Sequence, residues 1–263
     1  MEKKTDRIAI LIDGDNAQAK LLTATLEEVA KYGKVTIRRI YGDWTKPNMN
    51  SWKDLLNELS FTPIQKFSYT SGKNSTDGAL IIDAMDILHN SVVDGFCIVS
   101  SDSDYTGLAK RIREEGIFVM GVGEKKTPTA FVQSCEVFTF TENIFQEAVL
   151  EKQITSPRSA KKVKVSTDTS STVPQASKFP KVNLDLIDRA YFMATPEDSG
   201  ILVAILGTNL RKIDPSFDTR AHGFQTLTKL LDSLDEYEIL KADNTGLSHP
   251  IVRRIPKVKT KAV

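Results

Sequence analysis

The chain has 263 residues, of which 40% are hydrophobic and 26% are charged, and its formal net charge is +1. These values are typical of a globular protein with one large core or two smaller ones, and they exclude a wholly disordered chain. No apolar run approaches the roughly 20 residues of a membrane span, and no leader is evident, so we expect a soluble, cytoplasmic protein without a membrane contact.

Short apolar or β-branched runs alternate with helix-like segments over the first 150 residues. The predicted strands occupy 7–12, 34–41, 61–67, 95–100 and 117–122. The predicted helices between them occupy 17–32, 50–59, 76–89 and 104–115, and a helix (128–134), a strand (136–140) and a helix (142–150) follow. Because each amphipathic crossover helix must bury one face, this order predicts an α/β domain at 1–150 whose parallel sheet is flanked by helices.

The second half of the chain begins with a basic segment. Residues 151–182 carry 7 basic and 2 acidic residues and are rich in Ser, Thr and Pro, which predicts a flexible linker. Helical patterns and two extended runs then predict a small winged-helix-like domain at 183–255, before a basic tail at 256–263. The helical patterns lie at 183–193, 200–212 and 223–234, and the extended runs at 237–240 and 249–255. The basic segments suit a polyanionic partner, and solvated surface charge explains them equally well.

Four acidic residues stand where predicted strands end or where the following helix begins. Asp13 follows the first strand, Asp102 and Asp104 follow the fourth, and Asp77 opens the helix after the third. Ligands of open parallel sheets bind beyond the carboxyl ends of the strands, so we expect these acids to converge if strand one lies between strands three and four. Asp83 and Asp86 fall off the sheet-facing side of their helix, and we expect them to be solvent or flank residues.

Convergence of these acids has an electrostatic consequence. Two carboxylates 4 Å apart repel by about 4 kcal/mol at an effective dielectric constant of about 20. No Lys or Arg adjoins Asp13, Asp102 or Asp104 in the sequence, so a bound divalent cation is the most economical source of positive charge. An all-oxygen site suits Mg²⁺ or Mn²⁺.

Structural roles are open for the same residues. Asp104 can cap a helix, Asp13 can be a turn residue before Gly14, and Asp77 can answer a helix dipole. Asn16 can tether Asp13 or cap the helix at 17–32, and we favour the cap together with a supporting role at the site.

Four motifs in the first domain occur in one order: "IAILIDGDN", "GKNSTDGALIIDAMDIL", "CIVSSDSDYTGLAKRIREEG" and "VMGVGEKKTPTAFVQSCEVFTF". Over residues 6–148 they resemble the NYN domain of the PIN-like nuclease superfamily. The resemblance implies a Rossmann-like, PIN-type parallel sheet and a metal-dependent ribonuclease. It also implies an acidic site to which Asp13, Asp77, Asp102 and Asp104 correspond, with Asn16 in the first motif.

The pattern "LRKIDPSFD" within residues 183–255 is similar to an OST-HTH, or LOTUS, domain, which implies RNA or protein binding. The leading hypothesis is therefore a metal-dependent endoribonuclease with an RNA- or protein-binding module. Asp13, Asp77 and Asp102 would hold the metal, and Asp104 would ligate it or orient its water. Candidate RNA contacts in the second domain are Arg211, Lys212, Arg220 and Lys229.

Two alternatives come from other classes. A catalytically silent RNA-binding adaptor would keep the fold without the chemistry. A phosphatase of the haloacid-dehalogenase type would use Asp13 of "DGD" as nucleophile and Asp15 as acid, although it leaves Asp77 and the second domain unexplained.

Overall fold

The computed structural model describes residues 6–67, 75–145, 179–194, 200–240 and 249–255. Over these ranges the chain forms an α/β domain and a small C-terminal domain, as the sequence predicts. Most of the predicted linker at 151–182, the basic tail at 256–263 and the end of the helix predicted at 142–150 lie outside the described residues.

Parallel strands form the sheet of the first domain. Over the described residues they are β1 (Arg7–Asp13), β2 (Lys34–Gly42), β3 (Thr62–Gln65), β4 (Gly95–Val99), β5 (Phe118–Gly123) and β6 (Val137–Phe140). Their order is β3-β2-β1-β4-β5-β6. The chain winds outward from β1 to one edge and then returns to β4, so the switch in direction, where ligands of such sheets bind, lies between β1 and β4.

The strand order meets the condition set by the sequence, because β1 lies between β3 and β4 in the sheet. The immediate neighbours of β1 are β2 and β4. β3 pairs only with β2, and it contains Pro63, which has no amide hydrogen for a second neighbour. It therefore occupies the edge, and Asp77 reaches the site through the helix that follows.

Helices cover both faces of this sheet. They are α1 (Leu22–Ala30), α2 (Lys53–Glu58), α3 (Ser75–His89), α4 (Thr106–Glu114), α5 (Thr129–Ser134) and α6, which begins at 141 and is described to 145. Three of the predicted helices start with a tight 3-10 turn, at Ala19–Leu21, Pro47–Trp52 and Ser103–Tyr105.

Alternation along β1 decides which face receives Asp13. Ile8 and Ile10 pack in the same core as Leu22 of α1, whereas Ala9 and Leu11 pack in the core that contains α3 and α4. Because side chains alternate with a period of two, Asp13 continues the row of Ala9 and Leu11. It therefore emerges on the side of the sheet that α3 and α4 cover.

The C-terminal domain packs helices against a small antiparallel sheet. Within the described residues its elements are α7 (Leu184–Phe192), β7 (Ile201–Leu202), α8 (Val203–Ile213), α9 (Leu227–Asp232), β8 (Tyr237–Leu240) and β9 (Ile251–Arg254). The sheet order is β7-β9-β8. The two-residue strand β7 was not predicted, because the sequence pattern assigns its residues to the helix at 200–212.

Candidate active site

Asp13 is completely buried at the carboxyl end of β1. Its Oδ2 accepts hydrogen bonds from Nδ2 of Asn16 (2.7 Å) and Oγ of Ser100 (3.1 Å), and its Oδ1 accepts one from the amide of Asp15 (3.2 Å). These donors come from the loop after β1 and from the end of β4. They fix the orientation of the carboxylate at the point where the sheet changes direction.

Asn16 is a tether and not a helix cap. Its side chain holds Asp13, and the first helical turn begins only at Ala19, after Gln18, whose side chain makes no capping bond. The interpretation of Asn16 as a cap was therefore wrong, whereas the alternative bond to Asp13 is present.

Tyr105 connects Asp13 to Asp77. Its hydroxyl group lies 2.6 Å from Oδ1 of Asp77 and 3.3 Å from Oδ2 of Asp13, and the ring is fully buried. Burial, with the neighbouring charge of Asp13 and the bond to Asp77, raises the pKa of Tyr105 well above its usual range. The hydroxyl group therefore stays protonated and acts as a permanent donor.

Sequence reasoning missed Tyr105. The only signal was an aromatic residue directly after the acid pair in "SDSDYTGL", which is also what an ordinary core position looks like.

Three carboxylates of graded burial lie close together at the site. Asp77 lies in the first turn of α3 and is buried, Asp102 is half-buried after β4, and Asp104 is exposed. One oxygen from each can be chosen so that all three lie within 4.8 Å of one another. Asp13 is not in this group of three. It lies deeper, and Tyr105 links it to Asp77.

The capping role falls on Asp102 and not on Asp104. Oδ1 of Asp102 accepts a hydrogen bond of 3.0 Å from the amide of Asp104 and so caps the 3-10 turn that leads into α4. The amide of Asp102 in turn donates to Oγ of Ser100 at 3.1 Å. Asp102 therefore has a fixed backbone position and also contributes one oxygen to the acidic group.

The electrostatics of the site favour a cation. Burial raises the pKa of Asp13, against the lowering by its bond to Asn16, and the charge of Asp77 raises it further. Burial also raises the pKa of Asp77, against its bond to Tyr105, and the charges of Asp102 and Asp104 act in the same direction. A cation at the site would therefore favour the ionised form of both carboxylates.

Asp15 ties the loop after β1 to the start of α3. Its Oδ2 accepts a hydrogen bond from Oγ1 of Thr76 (3.0 Å), and its Oδ1 accepts one from Nδ2 of Asn48 (3.3 Å). Thr76 is buried and directly precedes Asp77, so this contact helps to place the Asp77 carboxylate. Sequence reasoning did not identify Thr76 or Asn48, because their bonds to Asp15 join positions 61 and 33 residues apart.

Asp83 is half-buried on the flank of α3 and not simply solvated, and the sequence did not predict its partners. It accepts hydrogen bonds from the guanidinium group of Arg39 and the hydroxyl group of Tyr41. Because α3 packs across β2 as well as β1, this side of the helix also meets the sheet. Asp86 is exposed, as expected.

The four candidate RNA contacts have different surroundings. Arg211 and Lys212 are exposed in the last turn of α8, and Lys229 is exposed and donates to Oε1 of Gln225. Arg220 is largely buried and bonds to Glu28 and Asp218. Its guanidinium group is thus committed to carboxylates, which does not favour a role as a solvated RNA contact.

Within the part of the chain that the structure describes, no helix is long and apolar enough to cross a membrane.

The family profile of the NYN domain matches residues 7–144, more than half of the chain. The chain belongs to the NYN family. The profile of the OST-HTH/LOTUS domain matches residues 178–249, so the NYN domain is followed by an OST-HTH domain, as the motifs predicted. NYN is a family of PIN-like nucleases, and together the two matches support a nuclease with an RNA-binding module.

No curated protein matches this NYN protein significantly. Among solved structures, a protein of unknown function from Vibrio parahaemolyticus is 19% identical, with a TM-score of 0.44, over 52% of this chain and 94% of that one. MurG from Acinetobacter baumannii is 12% identical, with a TM-score of 0.35, over 66% of this chain and 48% of its own.

Proposed function

We propose that this NYN protein is a metal-dependent endoribonuclease that hydrolyses phosphodiester bonds of RNA. The observation that carries the proposal is the meeting of Asp77, Asp102 and Asp104 beside the switch between β1 and β4, with buried Asp13 joined to them through Tyr105. The OST-HTH domain would contribute RNA binding, and protein partners are a further role for it.

The donor set fits a hard divalent cation. The group of three consists of carboxylates, whose oxygens are the ligand type that Mg²⁺ and Mn²⁺ prefer. Asp13, Asp77 and Asp102 form no ion pair with a Lys or Arg of the described residues. Burial raises the pKa of Asp13 and of Asp77, and neighbouring carboxylates raise both further, so a bound cation would favour the ionised form of each.

The ion, Mg²⁺ or Mn²⁺, would be held by Asp77, Asp102 and Asp104. The buried carboxylate of Asp13 would add negative charge behind them. When bound, such an ion supplies Lewis acidity and a water of lowered pKa. The protein supplies the positioning: Asn16 and Ser100 hold Asp13, and Tyr105 keeps one oxygen of Asp77 occupied by a fixed proton. Exposed Asp104 is placed to accept a hydrogen bond from a water molecule that attacks the phosphodiester.

The phosphatase alternative gains no support from the geometry. In that chemistry Asp15 would have to deliver a proton to the leaving group, yet both of its oxygens accept hydrogen bonds, from Thr76 and Asn48. The catalytically silent adaptor is distinguished from the nuclease by direct assay.

The test is incubation of the purified chain with end-labelled single-stranded RNA or DNA, with Mg²⁺, Mn²⁺ or a chelator. We expect metal-dependent internal cleavage of RNA that Asp13→Asn and Asp102→Asn abolish. Cleavage that persists in both variants would refute the carboxylate site. Absence of cleavage with every substrate and both metals would favour the adaptor.

A further inference from the structure

The OST-HTH domain contacts the NYN domain at the edge strand β6. The amide of Phe138 donates a hydrogen bond of 2.8 Å to the carbonyl oxygen of Pro215, and Arg220 bonds to both carboxylate oxygens of Glu28 at 2.9 Å. The side chains of Arg220 and Glu28 are only 16% and 6% exposed. This ion pair is largely buried and bidentate, so it fixes the orientation of the two domains as well as the distance between them. The surface between the domains therefore has a defined shape.

Two adjoining surface pockets flank this contact, and we call the two together the interdomain cleft. Their volumes are about 260 and 590 Å³, and both are lined by Tyr32, Val137 and Arg211. The larger pocket is also lined by Arg113 and Phe118 of the NYN domain and by Lys212 and Pro215 of the OST-HTH domain. Neither domain forms this cleft alone.

The cleft carries positive charge that carboxylates do not neutralise. Arg211 and Lys212 form no hydrogen bond or ion pair with side chains of the described residues. Arg113 donates to the carbonyl oxygens of Gln133 and Ser134, which hold it in place without cancelling its charge. Of the acids that line the cleft, Glu28 and Asp218 are bound to Arg220, which leaves Glu136 facing the three cations.

An aromatic pair lies beside these cations. The rings of Tyr32 and Phe118 stack with centroids 5.6 Å apart and planes 23° from parallel, and both residues are partly exposed. Cations that follow a backbone, next to an aromatic surface that a base can stack on, are the usual elements of single-strand binding.

We infer that the interdomain cleft binds a segment of single-stranded RNA, with Arg113, Arg211 and Lys212 on phosphates and the Tyr32–Phe118 pair beside a base. The inference rests on the proposed function, because it names a second RNA site for the same substrate. An acidic peptide would satisfy the cations but would leave the aromatic pair unused.

The cleft is separate from the carboxylates. Phe118 and Val137 begin β5 and β6, whereas the acids lie beyond the other ends of β1 and β4. Five residue steps along β5 span roughly 17 Å. A substrate must therefore extend well past the cleft before a phosphodiester reaches the acids, so the cleft would retain long RNA and leave short RNA unaffected.

The test measures the affinity of the full chain for fluorescent single-stranded RNA in chelator, so that no cleavage occurs. We compare wild type with the double variant Arg211→Gln, Lys212→Gln. Loss of two phosphate contacts should weaken affinity about 10-fold near 0.1 M salt and reduce the slope of log affinity against log salt by about 1.4. The control is Arg189→Gln, which removes an exposed cation of α7 outside the cleft and should change affinity less than about two-fold.

Wild-type affinity and salt slope in the double variant would overturn the inference. The inference would also be overturned if the double variant lost the binding of a glutamate-rich peptide but bound RNA as tightly as wild type does. The result is independent of chemistry: if wild type cuts no RNA but the affinity difference is present, the nuclease proposal fails and the cleft stands. If wild type cuts RNA and the double variant cuts long RNA at the same kcat/KM, the cleft fails and the nuclease stands.

Discussion

The hydroxyl group of Tyr105 donates a hydrogen bond of 2.6 Å to Oδ1 of Asp77 and so joins the turn before α4 to the first turn of α3. The same hydroxyl group lies 3.3 Å from Oδ2 of Asp13. One neutral side chain therefore sets the spacing between two carboxylates that come from different elements. Groups that orient metal ligands in this way commonly affect metal affinity as strongly as some ligands do.

Tyr105→Phe should weaken metal binding and cleavage without unfolding the protein. The ring would keep its place beside Phe131, but Asp13 and Asp77 would lose their shared donor. We expect the metal concentration for half-maximal cleavage to rise by about 10-fold or more. Metal titrations of the cleavage rate and thermal unfolding of the same samples would check this.

Tyr41→Phe is the matched control, because Tyr41 is also a buried tyrosine that bonds to an aspartate. Its partner is Asp83, which lies outside the acidic group and also has Arg39. An equal loss of metal affinity in both variants would assign the effect to general packing and not to the Tyr105 bond.

The positions of the acids could be predicted from the sequence, because they depend on local patterns. A buried strand that ends in Asp13 or Asp102 and a helix that begins near Asp77 are visible in short windows, and parallel strands bring their carboxyl ends to one edge. The contacts that orient the acids could not be predicted in this way. Tyr105 and Asp13 are 92 positions apart, and Thr76 and Asp15 are 61 apart.

The contacts of two polar residues, Asn16 and Asp83, differ from what the sequence pattern indicated. Asn16 was interpreted as a helix cap because asparagine favours that position, but its side-chain Nδ2 lies 2.7 Å from Oδ2 of Asp13. Asp83 was assigned by its angle on one helix, without the information that α3 also crosses β2. For Asn16 two local roles competed, because Asp13 is only three positions away, and the bond to Asp13 prevailed over the cap. For Asp83 contacts with a strand more than 40 positions away outweighed the local tendency.

Asp77→Asn should stabilise the metal-free protein at neutral pH while abolishing cleavage. The substitution removes a charge that Asp102 and Asp104 repel, and the amide oxygen can still accept the bond from Tyr105. We expect the free energy of unfolding to rise by about 1 kcal/mol. Added Mn²⁺ should raise Tm of wild type and leave Tm of the variant nearly unchanged.

The increase in the free energy of unfolding that Asp77→Asn produces should depend on pH. The pKa of Asp77 is raised in the folded state, so ionising it destabilises the folded protein relative to the unfolded one. The wild-type penalty is absent below the ordinary aspartate pKa of 3.8 and is complete above the folded-state pKa. Unfolding curves that differ equally at acidic and neutral pH would contradict this origin.

Asp102→Asn should reduce cleavage more than Asp104→Asn does. Asp102 is half-buried, its Oδ1 caps the turn before α4, and one of its oxygens belongs to the acidic group. An asparagine oxygen can keep the cap while the charge is lost, so Tm should change little and the cleavage rate should fall by about 100-fold or more. Asp104 is exposed, and its loss should affect mainly the attacking water, with a smaller fall in rate.

Rates for both variants at saturating Mn²⁺ would separate the two roles. A rate that high metal restores indicates a lost ligand, whereas a low rate that metal does not restore indicates a lost water-positioning group. If Asp102→Asn lowers Tm as much as Asp102→Ala, the cap is not kept and the comparison has to use the stability-corrected rates.

Arg220→Gln should weaken the contact between the domains. Burial raises the pKa of Glu28, but its bonds to Arg220 and Lys31 outweigh burial and lower it overall, so the carboxylate is charged when folded. Removing one partner of a buried pair costs about 3 kcal/mol when the other charge is left alone, and the bond from Lys31 to Glu28 should reduce this cost. We expect a lower urea midpoint and a larger radius of gyration in small-angle scattering.

The contribution of Glu28 to the free energy of unfolding should depend on pH, because its pKa is lowered in the folded state. It is present above the ordinary glutamate pKa of 4.5 and is lost as the pH falls through the folded-state value, so wild type and Arg220→Gln should converge in stability at low pH. Arg253→Gln is the control, since it breaks an exposed ion pair with Glu238 in the same domain and should cost less than about 1 kcal/mol. Equal losses in both variants would show that the Glu28–Arg220 pair does not hold the domains together.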